Sequence, residues 1–366
     1  MSTSVLEQTP KTDHPSTKSL TEAYYTICPV FVASNIAVEF GWLDEEFKRV
    51  GAKATYLRSL ANNGGWIPHY THGLPNLFRD GGAIPTIRAR ADLTSTKLIG
   101  LTWAQTGGQI VVRSDSGIHR VADLKGRRFG IVTSQNKSKI DFSRATAHRG
   151  ILLALALAGL TEKDAEIVDL PDVDDPKFAQ AQRPSELWSQ SRAHFNNPSF
   201  APDLVALQEG QVDAIYGNPG RTEALVQSGK YTVIEDLANH PDWTLQVANG
   251  PYTTAVNTAF AESHPEVIVA FLRAAVRAGR WANRNKPAAA EIFTRVTFYS
   301  NPKLIERLIA AVDFVPQLSP KNIAAIEIQK KFLRDHGYVT NDFSVGNAWA
   351  DASYLEEAIH SLPTED

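Results

Sequence analysis

Short apolar strands alternate with amphipathic helices along most of the chain. Residues Ala23–Ile27 are β-prone, and the apolar positions after them recur at helical spacing. The predicted strands are Ala23–Ile27, Gly51–Leu57, Thr96–Trp103, Gln109–Arg113, Arg127–Val132, Ala165–Leu170, Val212–Tyr216 and Tyr252–Asn257. The predicted helices are Cys28–Gly41, Thr146–Gly159, Pro265–Ala282, Pro287–Val296, Pro302–Val312, Pro320–His336 and Ala350–Ser361. This alternation favours an α/β protein with a largely parallel sheet.

Two stretches depart from this alternation. Residues 1–20 are polar, and we expect them to form a disordered N-terminal lead-in. Residues 171–200 are polar and contain prolines, with Trp188 and Phe195 embedded among them. They are predicted to be a long loop or lid, and long loops in compact domains are often functional.

A single cysteine, Cys28, follows the first predicted strand directly. Pro29 comes next, and proline is favoured at the first position of a helix. Cys28 is therefore expected at or next to the N-cap of the following helix, where free N–H groups and the helix dipole favour a thiolate. A thiolate is a nucleophile, so this position suits catalysis; a buried, inert cysteine is the alternative.

Composition narrows the class of protein. The 366 residues are 43% hydrophobic and 21% charged with a net charge of −3, as expected for a globular protein of two domains or lobes. The chain has no basic run interleaved with aromatic residues and no apolar run long enough to span a membrane, so neither nucleic acid nor a membrane is an expected partner. Residues 1–20 lack the apolar core of a secretory signal, which predicts a cytoplasmic protein. We expect it to be a monomer.

The same residue counts argue against cofactors. One cysteine excludes an internal disulfide and a cysteine-rich metal site. His69 and His72 have no carboxylate or cysteine spaced to complete a metal site, so no metal is expected. Glycine patterns of the Walker or dinucleotide type do not follow any predicted strand, and we expect no nucleotide cofactor.

Residues 66–82 carry the groups that a reactive thiol and an anionic substrate would need. His69 is able to raise the thiolate fraction or to shuttle a proton, although a histidine near prolines is more often structural. Arg79 is able to hold a carboxylate, sulfinate or sulfonate by two parallel hydrogen bonds, and a local ion pair is its alternative role. The N–H groups of Gly81 and Gly82, at a predicted helix start, are candidate oxyanion donors.

Three stretches resemble the type II periplasmic-binding-protein fold, in its sulfonate and nitrate branch. They are Asp123–Gly130, Gly210–Ala214 and Pro265–Asn285. The resemblance implies an α/β fold of two lobes with the ligand in the cleft between them. Residues 21–112 and 253–366 would form lobe 1 and residues 113–252 lobe 2, and Cys28 would face the cleft from a strand end.

Five further stretches resemble the 2′-hydroxybiphenyl-2-sulfinate desulfinases, enzymes that cleave a carbon–sulfur bond. They are Tyr25–Val30, Gly41–Asp44, His69–Thr71, Arg79–Pro85 and Leu124–Gly130. The resemblance implies a cysteine-dependent enzyme that releases sulfite from a small aromatic sulfinate without a cofactor. It places the family's catalytic cysteine, histidine and arginine on Cys28, His69 and Arg79. Candidates for substrate contact are Gly81, Gly82, Tyr70, Thr26 and Trp103.

Departures from the family pattern leave the substrate open. Asp80 stands where the family has an aromatic residue, and residues 133–150 and 173–200 differ in sequence. Cys28 would either attack sulfur or protonate the ring carbon, and the sequence does not choose between these routes. Two other functions also remain open: a non-catalytic binding protein for a sulfonate or aromatic anion, and a cysteine hydrolase or lyase acting on another organic acid.

Overall fold

The computed structural model describes residues 20–61, 66–104, 107–172, 180–195, 201–246 and 250–363. Apart from Leu20, the expected disordered lead-in lies outside these ranges. The strands within them are β1 (Thr21–Ile27), β2 (Ala52–Tyr56), β3 (Leu77–Gly81), β4 (Thr96–Thr102), β5 (Gln109–Arg113), β6 (Arg128–Thr133), β7 (Glu166–Pro171), β8 (Ala214–Gly217), β9 (Tyr231–Asp236) and β10 (Tyr252–Asn257).

The helices of the described ranges lie between and after these strands. They are α1 (Ala33–Glu39), α2 (Trp42–Arg49), α3 (Trp66–Thr71), α4 (Ala83–Asp92), α5 (Phe142–Leu157), α6 (Pro184–Phe195), α7 (Pro202–Gln208), α8 (Pro219–Gln227), α9 (Thr258–Ser263), α10 (Pro265–Arg284), α11 (Lys286–Val296), α12 (Pro302–Ile309), α13 (Pro320–Asp335), α14 (Val345–Ala348) and α15 (Ser353–His360). None of them combines the length and the apolar character needed to cross a membrane.

The strands form two five-stranded sheets, which confirms the α/β class. The first has the order β2-β1-β3-β10-β4 and the second β7-β6-β8-β5-β9. Both sheets are mixed rather than largely parallel, because β10 runs antiparallel to β3 and β4, and β5 runs antiparallel to β8 and β9. We call each sheet, with the helices packed on it, the first or the second lobe.

The core of the first lobe is built around α10. Its sequence places alanine, valine, isoleucine, leucine and phenylalanine at helical spacing, and Pro265 opens it at a position where the missing N–H costs nothing. Phe271 is buried and stacks on Phe78 of β3 with ring centroids 4.4 Å apart. Aromatic stacking of this kind adds to the hydrophobic stabilisation, so α10 holds the central strand of the sheet in place.

The helix after β1 begins later than predicted. Cys28 does not occupy an N-cap, because α1 begins at Ala33 and its N-cap is Val32. The amide of Cys28 instead donates to the carbonyl of Asp80 at 2.9 Å, which continues the pairing of β1 with β3 for one more residue. A turn follows in which the amide of Val30 donates to the carbonyl of Cys28. Cys28 therefore lies in the turn between β1 and α1, four residues before the N-cap of that helix.

Residues 180–195 were predicted as part of a loop or lid, yet they contain α6 and dock on the first lobe. The amide of Ala181 donates to the carbonyl of Arg58 at 3.2 Å, and the Trp188 ring meets Phe298 edge to face. Trp188 is almost fully buried. The apolar residues within this otherwise polar stretch thus form the face that packs on the first lobe. Residues 173–179 and 196–200 of the predicted lid, and the side chain of Phe195, lie outside the described part.

The two lobes are closed on each other beside the end of β3. Phe142 of α5 stacks on Tyr70 of α3, with ring centroids 6.0 Å apart. The Arg144 guanidinium donates to the Tyr338 hydroxyl at 2.6 Å. Both contacts join α5 of the second lobe to the first, so the site described next lies at their junction.

Candidate active site

Parallel pairing of β1 with β3 brings the predicted residues together. Thr26 lies opposite Arg79 in the register, and Ile27 lies opposite Asp80. Cys28 and Gly81 therefore leave the sheet side by side at the carboxyl ends of the two strands. Ligands of open α/β sheets bind beyond these ends, so the register alone places the thiol at a ligand-binding edge.

Cys28, His69 and Thr26 form a short chain of polar contacts. The Cys28 Sγ lies 3.4 Å from His69 Nε2, and His69 Nδ1 lies 2.7 Å from Thr26 Oγ1. The imidazole is stacked on the indole of Trp66 with ring centroids 5.0 Å apart. One ring nitrogen is thus fixed by Thr26, the ring plane is fixed by Trp66, and the other nitrogen faces the thiol. This is the geometry of an acid–base partner for a cysteine.

The environment of His69 favours the neutral imidazole. His69 is buried, and burial together with the Arg79 charge holds its pKa well below the usual range. An imidazolium–thiolate pair is therefore disfavoured from the histidine side, and His69 is suited to accept or relay a proton rather than to carry a permanent charge.

Arg79 is a buried cation in the middle of β3, with 1% of its surface exposed. Its Nε donates to the carbonyl of His69 at 2.7 Å, and Nη1 donates to the carbonyl of Gly82 at 2.9 Å and to Thr86 Oγ1 at 2.6 Å. Nη2 lies 3.6 Å from Cys28 Sγ. Among the described residues, no carboxylate lies within ion-pair distance of this guanidinium. A buried charge without a counter-ion is costly, so the site is prepared for an anion.

The glycine pair permits the close approach of β3 to the thiol. Gly81 is the last residue of β3, with a φ of +145°, and Gly82 is the N-cap of α4. A Cβ built on Gly81 would overlap Sγ and Cβ of Cys28. Only glycine therefore fits beside the thiol here. The amide of Gly82 lies at the start of a ten-residue helix, a position that suits an oxyanion.

Some supporting residues escaped the sequence analysis. Asn35 is fully buried, and its Nδ2 donates to the carbonyls of Cys28 and Val30 at 3.1 and 3.0 Å. Thr253 Oγ1 donates to Thr86 Oγ1 at 2.8 Å, which orients a partner of the guanidinium. An asparagine among apolar helix residues was the available signal for the first. Nothing in the sequence marks the threonine pair, because it joins residues distant along the chain.

Three other candidates take different places. His72 is buried and donates from Nε2 to the carbonyl of Leu77 at 3.2 Å, which is a structural role. Tyr70 is buried at the junction of the lobes, with the Lys139 ammonium 5.2 Å from its ring centre. Trp103 packs against Trp243 and under Lys321. None of the contacts seen among the described residues joins Trp103 to the group around Cys28.

Proteins similar to this chain in sequence are named for one enzymatic activity. The chain is 26% identical over 365 residues to 2′-hydroxybiphenyl-2-sulfinate desulfinases of Rhodococcus erythropolis and Rhodococcus qingshengii, covering 92% of this chain and 93% of each relative. The chain is thus homologous to these desulfinases over nearly the whole of both sequences. A comparison with protein-family models gave no match.

Solved structures establish the fold. The desulfurization enzyme DSZB is 22% identical, with a TM-score of 0.71 over 93% of this chain and 99% of the enzyme. One of its structures holds biphenyl-2-sulfinic acid in a cysteine-to-serine mutant. The alkanesulfonate-binding protein SsuA of Xanthomonas axonopodis pv. citri, bound to MOPS, is 18% identical with a TM-score of 0.59 over 90% of this chain and 99% of that protein. The two-lobed fold of the periplasmic binding proteins is therefore confirmed.

Proposed function

We propose that the chain is a cysteine-dependent desulfinase that cleaves the carbon–sulfur bond of an aromatic sulfinate and releases sulfite. The substrate class is the one named for its relatives, a 2′-hydroxybiphenyl-2-sulfinate or a close analogue. The chain acts on this small molecule as a cytoplasmic monomer, without a nucleic-acid or membrane partner. No cofactor takes part in the proposed reaction.

The observation that carries the proposal is the Arg79 guanidinium. It is buried, it lacks a carboxylate partner among the described residues, and its Nη2 lies 3.6 Å from the only thiol of the chain. A sulfinate carries its negative charge on two oxygens, and Nη2, which faces Cys28, is the part of Arg79 that is placed to donate to them. An anion held there by Arg79 and the Gly82 amide would bring its sulfur and ring carbon next to Cys28.

The proposed chemistry uses the thiol as a proton donor. The Cys28 proton is transferred to the ring carbon that carries sulfur, the electron pair of the carbon–sulfur bond returns to the ring, and sulfur leaves as SO2. Water then adds to SO2 to give bisulfite and a proton, which His69 returns to the Cys28 thiolate. One water is consumed, and neither an oxidant nor a reductant is needed.

The neutral His69 supports this route over attack of a thiolate on sulfur. Burial and Arg79 hold the His69 pKa well below its usual range, so a thiolate–imidazolium pair is not favoured before the substrate binds. The two routes differ in one species. Attack on sulfur would leave an SO2 group covalently bound to Cys28, which mass spectrometry of rapidly quenched enzyme would detect; proton donation leaves no adduct.

The proposed function is tested by sulfite release from 2′-hydroxybiphenyl-2-sulfinate. The wild-type chain is expected to turn over, and Cys28→Ser is expected to lose activity by at least about 1,000-fold, because it removes the group that donates the proton. Ser116→Ala, at an exposed turn of the second lobe, is the control for handling and folding. Folded wild-type chain that binds the sulfinate without releasing sulfite would instead support a binding protein.

A cysteine hydrolase or lyase acting on another organic acid is the third possibility. It predicts rapid alkylation of Cys28 that sulfinates do not protect against. Sulfite release together with protection by the sulfinate excludes it, and a reactive but unprotected thiol would contradict the desulfinase proposal.

A further inference from the structure

A group of metal-ligating side chains lies away from the proposed active site, on the seam between the lobes. Among the described residues, only His148, Glu162 and His336 bring three such ligand atoms within 4.8 Å of one another. His148 lies on α5, and Glu162 follows in the short turn before β7. His336 caps the end of α13. Two ligands therefore come from the second lobe and one from the first.

Outer contacts already orient both imidazoles. The His148 Nδ1 lies 3.2 Å from the Tyr338 hydroxyl, and the His336 Nδ1 donates to the carbonyl of Phe332 at 2.9 Å. Metal-bound histidines donate their second ring N–H to such acceptors, which fixes the tautomer. Each ring is then left with the Nε2 lone pair for a metal ion. In the metal-free protein His148 Nε2 donates to Glu162 Oε1 at 3.0 Å, so metal binding requires the ring proton to move to Nδ1, which then donates to the Tyr338 hydroxyl.

The dimensions suit a tetrahedral ion. Ligand atoms about 2.0 Å from zinc lie roughly 3.3 Å from each other, so the three side chains need to shift by about an ångström. His336 and Glu162 are exposed, which allows that movement and admits water as a fourth ligand.

We propose that His148, Glu162 and His336 form a binding site for a divalent transition metal, zinc or a neighbouring first-row ion, which ties the two lobes together. Two imidazoles and one carboxylate, completed by water, are a ligand set that zinc uses in proteins. The site is separate from the Cys28 group and takes no part in the proposed reaction. Its effect would be to stabilise the closed arrangement in which α5 lies against α13.

The test is calorimetric titration of Zn²⁺ into tag-free, chelator-treated protein carrying Cys28→Ser, so that the thiol cannot bind the metal. One ion per chain is expected to bind. His336→Ala in the first lobe and Glu162→Gln in the second are each expected to weaken binding by at least about 100-fold, since loss of even an outer contact costs up to that much. Saturating Zn²⁺ is expected to raise the Tm of the parent but of neither variant.

A matched control is available in His264→Ala. His264 pairs with Glu266 at 3.2 Å on the surface, but it belongs to no three-ligand group among the described residues. This variant is expected to bind Zn²⁺ as its parent does. The proposal is overturned if the Cys28→Ser parent binds no Zn²⁺, or if binding survives in His336→Ala. Unweakened binding in Glu162→Gln would overturn the three-residue site.

Discussion

Arg79 supplies the buried positive charge that faces the Cys28 thiol. Three hydrogen bonds hold two of its nitrogens, Nε and Nη1, and the third nitrogen, Nη2, faces Cys28. Lysine would supply a charge without the fork and could not keep these contacts. The buried cation thus acts through its shape as well as its charge.

We expect Arg79→Lys to lower kcat/KM for the sulfinate by about 100-fold or more, because lysine keeps the charge but cannot make the three hydrogen bonds that hold Nη2 next to Cys28. Steady-state sulfite release measures this change. Arg88→Lys is the matched control, because Arg88 lies on α4 and pairs with Asp92 of the same helix rather than with a residue of the site. Equal activity in Arg79→Lys and wild type would remove Arg79 from the mechanism.

Buried titratable groups near the site predict how the free energy of unfolding varies with pH. Burial lowers the pKa of His72 to about 3, and burial also lowers the pKa of His69. Below about pH 6.5 the two histidines are protonated in the unfolded chain but not in the folded chain. The free energy of unfolding therefore falls as the pH falls. Asp80 opposes this, since burial raises its pKa to about 6 and the folded chain takes up a proton there first.

Between about pH 6 and 5 these three groups together differ by one proton between the unfolded and the folded chain, which contributes a fall of roughly 1.4 kcal/mol per pH unit in the free energy of unfolding on acidification. We expect His72→Asn to reduce the measured slope by about that amount, and asparagine tolerates the positive φ of 56° at this position. Urea unfolding at several pH values measures the slope. The exposed His360→Asn serves as control, and an unchanged slope in His72→Asn would contradict the assignment.

At the scale of elements, β1 and β3 position the site, and the sequence predicted only the first of them. The short β-prone stretch before Cys28 was sufficient for β1. Strand β3 was missed because Leu77–Gly81 is fully buried and contains Arg79 and Asp80, charged residues that do not follow a strand pattern. Helix α1 was placed too early because Pro29 was interpreted as a helix start, whereas it lies in a turn stabilised by Asn35.

The roles of the site residues came from resemblance, and their contacts required the structure. Spacing along the chain could suggest that His69 lies near Cys28, and it could not reveal Thr26 as the partner of its other nitrogen. The support of Arg79 by Thr86 and Thr253 depends on pairing of β3 with β10, which lies far away in the sequence.

Strands β1 and β3 approach each other closely at Cys28 and Gly81. We therefore expect one added methyl group at Gly81 to have a large effect on stability and activity. Gly81→Ala would place a Cβ against the Cys28 side chain in a backbone conformation that favours glycine. We expect a loss of at least about 2 kcal/mol in the free energy of unfolding and of nearly all activity. Chemical denaturation measures it, with Gly346→Ala as the control, because a Cβ there would meet only Ile323 Cγ2 at an ordinary contact distance of 3.7 Å.

A double variant separates the clash from other causes. Replacing Cys28 by glycine together with Gly81→Ala removes the overlapping atoms, so part of the lost stability is expected to return. Strictly additive losses would show that the two residues do not interact.

At the scale of the molecule, the lobe boundaries remain a proposal, and the strand pairing refines it. Strand β5 belongs to the second sheet, which favours a boundary before Gln109 rather than between residues 112 and 113. Residues 180–195 pack on the first lobe although they lie within the range 113–252. Helix α6 of the second lobe thus packs on the first lobe. The lobes therefore contact each other at two places, through α6 and through α5.

Cys28 is half-buried, and we expect closure of the lobes to control access to it. Tyr338 of the first lobe accepts from Arg144 and contacts His148 of the second. We expect Tyr338→Phe to speed alkylation of Cys28 in chelator-treated protein by up to about 10-fold, because losing about 1 kcal/mol of contact favours opening. Tyr354→Phe is the control, since that hydroxyl donates to Ala261 within the first lobe. Equal rates in both variants would show that opening does not limit access.

Strand β10 has a consequence for how the protein is made. It lies between β3 and β4 and pairs with both, yet the ribosome releases it only after the whole second sheet has been synthesised. Until then, β3 and β4 expose unpaired edges, and the strand that carries Arg79 lacks a neighbour. The first lobe begins at the N-terminus but completes its folding after the second, and a nascent chain ending near residue 246 is the species most in need of a chaperone.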